Sequence, residues 1–242
     1  MKKFFILYFD ILGYQKKASA NSLDLFNTIN LCIEKIKYVI ENNKIMYPTS
    51  DVKLKVFSDN FFLCSENDYQ QLIFIASNLQ ADLLSDDVFI RGALLYGDLI
   101  YTDDFIYGKG IIDAHDIESN IAIFPRIIID DSYFIGAIAI ENSKSEEPRN
   151  IDEIRNVIKQ SFCYNLDDTL FLNYLEELKL LTESIPQYAY PYTLNEFLII
   201  HKERIIQNLK TDNRKVRHKY LWCKNYHNNF CKKYGFDALL IE

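Results

Sequence analysis

The sequence predicts an α+β fold in which helices back a single sheet. Apolar runs of strand length alternate with longer segments whose apolar residues recur every three or four positions, as in helices. Up to about residue 130 these segments follow the order β-α-β-β-α-β-β-α-β. From about residue 136 onward, helical periodicity dominates instead. Together these patterns predict a sheet domain followed by a mainly helical part.

The first half of the predicted sheet domain begins with the run KKFFILYFDI. Its almost unbroken apolar character is typical of a strand buried on both faces, which we expect to lie centrally. A helix is predicted in SLDLFNTINLCIEKIKYVIENN, where Leu25, Ile29 and Ile33 share one face. A hairpin follows, formed by DVKLKVF and FFLCS around a Ser-Asp-Asn turn.

The second half of the domain repeats this alternation. A helix is predicted in DYQQLIFIASNLQADLLSD, followed by a ribbon formed by VFIRGALLYGDLI and YTDDFIYGKG. The last two elements are a helix in KGIIDAHDIESNIA and a strand in PRIIIDD. This order is that of a ferredoxin-like βαββαβ core with helices on the sheet.

The chain divides, on this interpretation, into two parts. We expect residues 1–135 to form the α+β domain and residues 136–242 to form a mainly helical extension packed on it. The stretch ENSKSEEPRN is polar enough for a linker or loop. Beyond it the pattern predicts a helix near IDEIRNVIKQ, a short hairpin in FCYNLDDTLFLNYL and long helices between Asn195 and Tyr234.

Composition and charge narrow the function classes. The chain has 242 residues with 49% apolar and 25% charged residues, which is ordinary for a globular protein. A formal charge of −7 makes a nucleic acid or an anionic membrane an unexpected partner. The apolar start FFILYF is too short for a membrane span or a signal peptide, which favours a cytoplasmic protein.

The five cysteines are scattered and form no CxxC pair, so neither a disulfide framework nor a zinc knuckle is predicted. Cys223, His227 and Cys231 fall at helical spacing and could share one face. Packing is the favoured interpretation of that stripe, and a zinc site is the alternative.

The stretch KVFSDNFFLC places Asp59 between two strand-forming runs. Aspartate and asparagine are common turn residues, so Ser58, Asp59 and Asn60 could simply close a hairpin. Alternatively, Asp59 holds a metal ion at the hairpin tip together with a carboxylate on a neighbouring strand. Asp10, at the end of the first strand, is the candidate for that second carboxylate.

Three stretches, YFDILGY, KVFSDNFF and IRGALLYGDLIYTDDFIYGKGIIDAHDIES, resemble the catalytic domain of class III nucleotidyl cyclases over roughly residues 3 to 130. The resemblance implies that Asp10, Asp59 and the backbone carbonyl of Ile11 bind two divalent ions that hold a nucleoside triphosphate. It also matches Lys55 to the position that contacts the base, with Phe105 in the place of that lysine's partner. A homodimer is implied, because the family forms its active sites between two subunits.

The chemistry expected of these residues is consistent with Mg²⁺ or Mn²⁺, which take hard oxygen ligands from one or two carboxylates, phosphates and water. Gly13, in the loop after Asp10, would allow backbone amides to approach phosphates closely. Strand alternation puts Lys53, Lys55 and Phe57 on one side, and an exposed lysine without a ligand is the structural alternative for Lys55.

Two family positions are not retained. The helix after the second ribbon normally supplies an asparagine and an arginine, and here those positions are Ile112 and Asp116. Arg91, Arg126 or Lys109 could supply the missing positive charge at the reacting phosphate. A structural ion pair is the alternative role for Arg126.

The sequence therefore predicts a metal-dependent nucleotidyl cyclase-like enzyme that converts a nucleoside triphosphate into a cyclic nucleotide signal, for which bacterial antiviral signalling is one possible context. A degenerate cyclase fold that binds nucleotide or a protein partner without turnover is the first alternative. A palm-like oligonucleotide synthase is the second, since palm domains also present paired carboxylates.

Overall fold

The computed structural model describes residues 1–13, 22–46, 51–130, 134–138, 152, 163–166, 169–184 and 192–242. The strands are β1 (Lys2–Ile11), β2 (Lys53–Phe57), β3 (Asn60–Ser65), β4 (Ile90–Tyr101), β5 (Ile106–Tyr107), β6 (Ile127–Ile129), β7 (Cys163–Leu166) and β8 (Thr169–Leu172). The helices are α1 (Ser22–Met46), α2 (Tyr69–Ser85), α3 (Lys109–Asn120), α4 (Tyr174–Ser184), α5 (Leu194–Leu209) and α6 (Arg214–Tyr234), followed by a 3₁₀ turn at Asp237–Leu239.

The strands form one mixed sheet in the order β2-β3-β1-β4-β6-β8-β7, and β5 pairs with β4. β1 is antiparallel to both of its neighbours, β3 and β4. Helix α1 links β1 to β2 with β3 inserted between them, and α2 links β3 to β4 with β1 inserted between them. The chain therefore contains two interleaved split βαβ units. The predicted order of elements and the central position of the first strand are confirmed.

β1 is central because both of its faces are apolar. Phe5, Leu7 and Phe9 lie in the main core together with residues of α1 and α2, among them Cys32 and Leu72. The alternate residues Phe4, Ile6 and Tyr8 pack in a second cluster that includes Ala114 of α3. Side chains on successive residues of a strand point to opposite faces, so an uninterrupted apolar run requires cover on both.

Helix α3 lies very close to the sheet. A Cβ atom at Gly97 of β4 would lie 2.8 Å from the Cα atom of Gly110 in α3, closer than two such carbons can approach. Gly108, with φ of 144°, turns the chain from β5 into this helix in a conformation that favours glycine. These glycines thus bring a helix against the sheet.

The C-terminal part extends the same sheet. β7 and β8 form the predicted hairpin, and β8 joins the sheet because Phe171 pairs with Ile128 of β6. Helices α4, α5 and α6 share a hydrophobic cluster with Phe89 and Ile128 of the sheet. The helices predicted between Asn195 and Tyr234 are confirmed as α5 and α6. The linker at 141–150 and the helix predicted near 151–160 lie outside the described residues, apart from Asp152.

The division of the chain at residues 135 and 136 stays a prediction, and the sheet continues on both sides of that point. Among the described residues, no helix combines the length and apolarity that crossing a membrane requires.

Candidate functional site

Three polar residues lie side by side on three adjacent strands. Asp10, at the end of β1, is directly opposite Asn60 of β3 on one side and Arg91 of β4 on the other. Directly paired residues of antiparallel strands have Cβ atoms about 5 Å apart. Asp59 immediately precedes Asn60, so the fold brings the two predicted carboxylates to the same corner of the sheet.

Arg91 binds the Asp10 carboxylate with two hydrogen bonds. Its Nε and Nη2 atoms donate to Oδ1 and Oδ2 of Asp10, each at 3.0 Å. Nη2 also lies 2.5 Å from Oε1 of Glu118, and Nη1 contacts the carbonyls of Glu118 and Ala122 at 3.5 and 3.4 Å. Four of these contacts are hydrogen bonds, and the close approach of Nη2 to Glu118 is an ion pair. Arg91 is therefore held by two carboxylates and two backbone carbonyls.

Glu118 belongs to the site, although its spacing from His115 in the sequence suggested a metal pair only as a weaker alternative to packing. It is only 3% exposed and lies on the buried stripe of α3 formed by Gly110, Ala114 and Glu118. Ser119 Oγ donates to its second carboxylate oxygen at 2.8 Å. An acidic residue at a buried position of an amphipathic helix requires a partner. That periodicity is the signal by which the sequence could have revealed an ion pair.

Asp59 is connected to the sheet through Asn60. The Tyr8 hydroxyl donates to Oδ1 of Asn60 at 2.7 Å, and Nδ2 of Asn60 donates to Oδ1 of Asp59 at 3.3 Å. Burial raises the pKa of Tyr8 to about 12, with further contributions from the charges of Glu118, Asp10 and Asp59. The tyrosine thus responds electrostatically to all three carboxylates of the cluster.

The surroundings of Asp10 and Asp59 raise the pKa values of both carboxyl groups. Burial raises the pKa of Asp10 to about 6, and the charge of Glu118 adds to this increase although the bond from Arg91 opposes it. The pKa of Asp59 is raised by burial, and the charge of Asp10 contributes in the same direction. Two carboxylates held close together repel each other, and a bound cation relieves that repulsion.

The oxygens at this corner fit a hard divalent ion. A carboxylate offers about four lone-pair positions, so the two bonds from Arg91 leave positions on Asp10 for a metal. Asp59 and the backbone carbonyl of Ile11 would complete the set of protein ligands, with phosphate and water supplying the rest. In the described part of the chain, no group of three or more His, Cys, Asp or Glu residues is arranged to hold a metal, and this includes the helical stripe of Cys223, His227 and Cys231. A Mg²⁺ site needs only one or two carboxylates from the protein, because phosphate and water supply the other ligands.

The hairpin interpretation of the Ser-Asp-Asn turn is confirmed. Phe57 pairs with Asn60, which leaves Ser58 and Asp59 as a two-residue loop. Ser58 has φ of 60°, a left-handed conformation at the first loop residue, as in a type II′ turn. Such backbone strain in a non-glycine residue is often found at functional sites. Asp59 closes the hairpin, and its role in metal binding stays a prediction.

Lys55 lies beside the tip of the β4–β5 ribbon. Its Nζ atom is 5.5 Å from the ring centre of Tyr101 and contacts the backbone carbonyl of Asp103. Lys53 Nζ lies 5.1 Å from the same ring, which confirms that the two lysines share one side of β2. Phe105 is exposed next to this contact. A base-contacting role for Lys55 stays a prediction.

The remaining predicted residues are distributed around the cluster. Gly13 has φ of 82°, where glycine is favoured, and residues 14–20 of its loop lie outside the described residues. Lys109 forms an exposed ion pair with Asp113 one turn along α3. Arg126 is 3% exposed, with its guanidinium 5.2 to 5.4 Å from the ring centres of Phe124, Phe171 and Trp222. This placement is closer to the structural alternative than to a contact with substrate, and the catalytic role of Arg126 stays a prediction.

Lys219, in the C-terminal helix α6, interacts electrostatically with Arg91, Asp10 and Glu118. Burial and the charge of Arg91 lower the pKa of Lys219 in α6, while Asp10 and Glu118 act in the opposite direction. Local patterns could not reveal this neighbour, because it depends on where α6 packs in three dimensions.

Comparison with known proteins finds similarity among solved structures. No protein-family model and no curated protein matches the chain. One similar solved structure is that of a bacterial light-regulated adenylyl cyclase, aligned over 90% of this chain and 58% of that one, with 9% identity and a TM-score of 0.43. The chain thus spans less than two thirds of the length of that protein. At this TM-score the likeness assigns neither fold nor function.

Proposed function

We propose that this protein binds a nucleoside triphosphate with a divalent metal ion at Asp10 and Asp59 and converts it into a cyclic nucleotide. The observation that carries the proposal is the juxtaposition of these two carboxylates at a strand end and a hairpin tip. Burial is the main cause of their raised pKa values, and the smaller contributions from neighbouring carboxylates are ones that a cation would offset. The resemblance of YFDILGY and KVFSDNFF to class III cyclases supplies the reaction class.

The proposed reaction is an intramolecular phosphoryl transfer. The 3′-hydroxyl oxygen forms a bond to the α-phosphorus, the bond from that phosphorus to the pyrophosphate oxygen breaks, and the hydroxyl proton passes to solvent. When bound, Mg²⁺ or Mn²⁺ neutralises charge on the phosphates and makes the hydroxyl more acidic. Asp10 and Asp59 would hold the metal that binds the phosphates, and Arg91 fixes the orientation of Asp10 through its two hydrogen bonds.

The base is expected to lie toward Lys55, whose ammonium group would leave the Asp103 carbonyl and donate to an acceptor on the base edge. Lys55 is at the same face of the sheet as Tyr101, which offers an aromatic surface beside it. This assignment follows the family resemblance and sets no preference among the four bases.

A homodimer is part of the proposal. Large apolar side chains are exposed on the ribbon and on α3, a concentration that favours burial against a partner. These are Ile100, Phe105, Tyr107 and Ile112. A second copy of the chain is the partner implied by the resemblance, and the oligomeric state in solution tests this part directly.

A nucleotide-binding module without turnover is the second candidate. Ile112 is exposed at a position where the family has a catalytic residue, and it has no polar group to offer a ribose or phosphate. The engagement of Arg91 with Asp10 and Glu118 favours the same interpretation. Retention of both aspartates favours the enzyme. A palm-like oligonucleotide synthase would use the same carboxylates on longer products.

The test is to incubate the full chain with each of the four nucleoside triphosphates and Mg²⁺ or Mn²⁺, and to measure pyrophosphate release and product mass. We expect one triphosphate to yield pyrophosphate and a cyclic mononucleotide. Binding without pyrophosphate release would identify a non-catalytic module, and dinucleotide or longer products would identify the synthase.

Asp59→Asn tests the metal role within the same assay. Asparagine suits the turn equally well, so folding should be retained while turnover falls about a hundredfold, a loss typical of one transition-state charge contact. Asp212→Asn, in the exposed connection between α5 and α6, is the matched control and should retain full turnover. Unchanged turnover in Asp59→Asn would contradict the metal role of Asp59.

A further inference from the structure

The proposed site needs a cation that can leave its present contacts for a phosphate, and the predicted candidates are already engaged. Arg91 makes two hydrogen bonds to Asp10 and two to backbone carbonyls, and it forms an ion pair with Glu118. The Arg126 guanidinium is enclosed by three aromatic rings. Lys109 is paired with Asp113 on the exposed start of α3. A triphosphate carries several negative charges, so a further positive group is required beside a single metal-binding corner.

Helix α6 brings Lys219 to this corner. The rings of His218 and Trp222, on either side of Lys219 in the sequence, lie 5.4 and 5.6 Å from the ring of Phe124. Phe124 is two residues from Ala122, whose carbonyl accepts a hydrogen bond from Arg91 at 3.4 Å. The segment between α3 and β6 therefore joins α6 directly to the Asp10–Arg91 pair.

The surroundings of the Lys219 ammonium group favour an anionic ligand. The side chain is half-buried, and among the residues that the structure describes it makes no hydrogen bond or ion pair. Asp10 and Glu118 are close enough for their charges to act on it. A half-buried cation without a direct partner pays a desolvation cost that an anionic ligand would offset.

We propose that Lys219 is a phosphate-binding residue of the candidate site, donating hydrogen bonds from its ammonium group to the oxygens of the triphosphate. The inference rests on the proposed function and deepens it, because it makes the C-terminal helix part of the nucleotide site. A lysine suits this task, since its ammonium group is a compact charge on a flexible stem that can follow a phosphate.

Inorganic tripolyphosphate is the probe, because it presents the phosphate chain without base or ribose. The wild-type chain is treated with an amine-acylating reagent in the absence and presence of tripolyphosphate and Mg²⁺, and each lysine is quantified by peptide mass spectrometry. We expect tripolyphosphate to protect Lys219 at least fivefold and to leave Lys215, exposed on the same helix, unprotected. Equal acylation of Lys219 with and without tripolyphosphate would overturn the proposal.

Substitutions separate charge from structure. Lys219→Gln should weaken tripolyphosphate binding at least tenfold with an unchanged melting temperature, Lys219→Arg should recover most of the affinity, and Lys215→Gln should bind as the wild type does. In the triphosphate assay the loss in Lys219→Gln should appear mainly in KM. Wild-type affinity for tripolyphosphate in Lys219→Gln would contradict the proposal.

The outcomes distinguish this inference from the proposed function. Protection of Lys219 by tripolyphosphate in a protein that turns over no nucleoside triphosphate would support the phosphate site and reject the cyclase. Turnover that is unaffected by Lys219→Gln would support the cyclase and reject the role of Lys219. A wild-type chain that binds no tripolyphosphate would reject the phosphate site at Lys219.

Discussion

At the scale of single residues, Arg91 links the sheet and α3 through two carboxylates. Asp10 and Glu118 lie on either side of its guanidinium, and all three side chains are largely buried. Removing one partner of a buried ion pair costs far more than the pair contributes, because it leaves an uncompensated charge in a poorly solvated place. Here the loss of one cation would expose two carboxylates to each other.

Arg91→Met should therefore destabilise the protein strongly. We expect the free energy of unfolding to fall by about 3 kcal/mol, because Asp10 and Glu118 would lose a common partner. Lys109→Met removes an exposed ion pair within α3 and should change stability by less than about 1 kcal/mol. Urea denaturation of both variants measures the difference. Equal stability of the two variants would show that Arg91 is not a structural link.

The residue scale also shows how far the sequence determines the site. Asp10 and Asp59 could be predicted to converge, because one ends a strand and the other lies in the next hairpin. Glu118 and Lys219 could not be placed in the same way, since each reaches the corner from a helix whose packing depends on distant contacts. Arg91 could be recognised as a candidate cation, but its contacts within the protein depend on where Glu118 and Ala122 lie.

At the scale of elements, the position of α3 determines whether Glu118 can reach Arg91. The helix approaches β4 at the contact between Gly97 and Gly110, where a single added carbon at Gly97 would meet backbone. Cores are packed densely, so an inserted methyl group must displace one of the two elements.

Gly97→Ala should push α3 away from the sheet and weaken the contact between Arg91 and Glu118. The expected cost is about 2 kcal/mol in unfolding free energy, in the usual range for an overpacked core. Gly136→Ala is the matched control, because a Cβ atom there meets nothing within 4 Å and its φ is not in the left-handed range. Thermal denaturation compares the two, and wild-type stability in Gly97→Ala would contradict the close approach described here.

Elements were more predictable from sequence than their pairing. The strands and helices up to residue 130 follow from apolar periodicity, and the buried run of β1 also predicts its central place. The hairpin of β7 and β8 could be recognised locally, but its attachment to β6 could not. That pairing joins Ile128 to Phe171 across segments with no shared local pattern, so only tertiary packing determines it.

At the scale of the whole molecule, a chain of buried hydrogen bonds ties the C-terminal helices to the end of the protein. Tyr174 of α4 bonds to Nε2 of His201 in α5 at 2.6 Å, and Nδ1 of His201 lies 2.8 Å from Nδ1 of His227 in α6. Nε2 of His227 lies 2.9 Å from the carbonyl of Leu239. Both histidine side chains are fully buried.

The hydrogen bonds require His227 to be neutral, and burial favours the neutral form of His201 as well. His227 must donate from Nε2 to the Leu239 carbonyl, so its Nδ1 accepts from Nδ1–H of His201, and Nε2 of His201 accepts from the Tyr174 hydroxyl. A proton added to Nδ1 of His227 would face Nδ1–H of His201, whereas a proton added to Nε2 of His201 would only reverse its bond with the Tyr174 hydroxyl. Burial lowers the pKa of His201 well below its ordinary value, and the proximity of His227 adds to this effect. Burial likewise lowers the pKa of His227, although its bond to Leu239 acts in the opposite direction.

Protonation of these histidines in the unfolded chain should therefore make stability depend on pH. Below about pH 6.5 the unfolded state binds a proton at each histidine and the folded state does not, so the free energy of unfolding decreases as the pH falls. Above that pH, the two buried neutral histidines no longer lower the free energy of unfolding. Each histidine contributes a slope of up to about 1.4 kcal/mol per pH unit.

Comparison of variants isolates this effect from that of other groups. Asp10 and Glu177 have pKa values raised to about 6 and about 7, and because they take up protons first in the folded state they act in the opposite direction. In urea titrations between pH 6.5 and 5, the free energy of unfolding of His201→Gln should depend on pH less steeply than that of the wild type, by up to about 1.4 kcal/mol per pH unit. His115→Gln, at a largely exposed position, should retain the pH dependence of the wild type. An identical pH dependence in His201→Gln and the wild type would show that the buried pair takes up protons without unfolding, contrary to the neutral hydrogen-bonded chain.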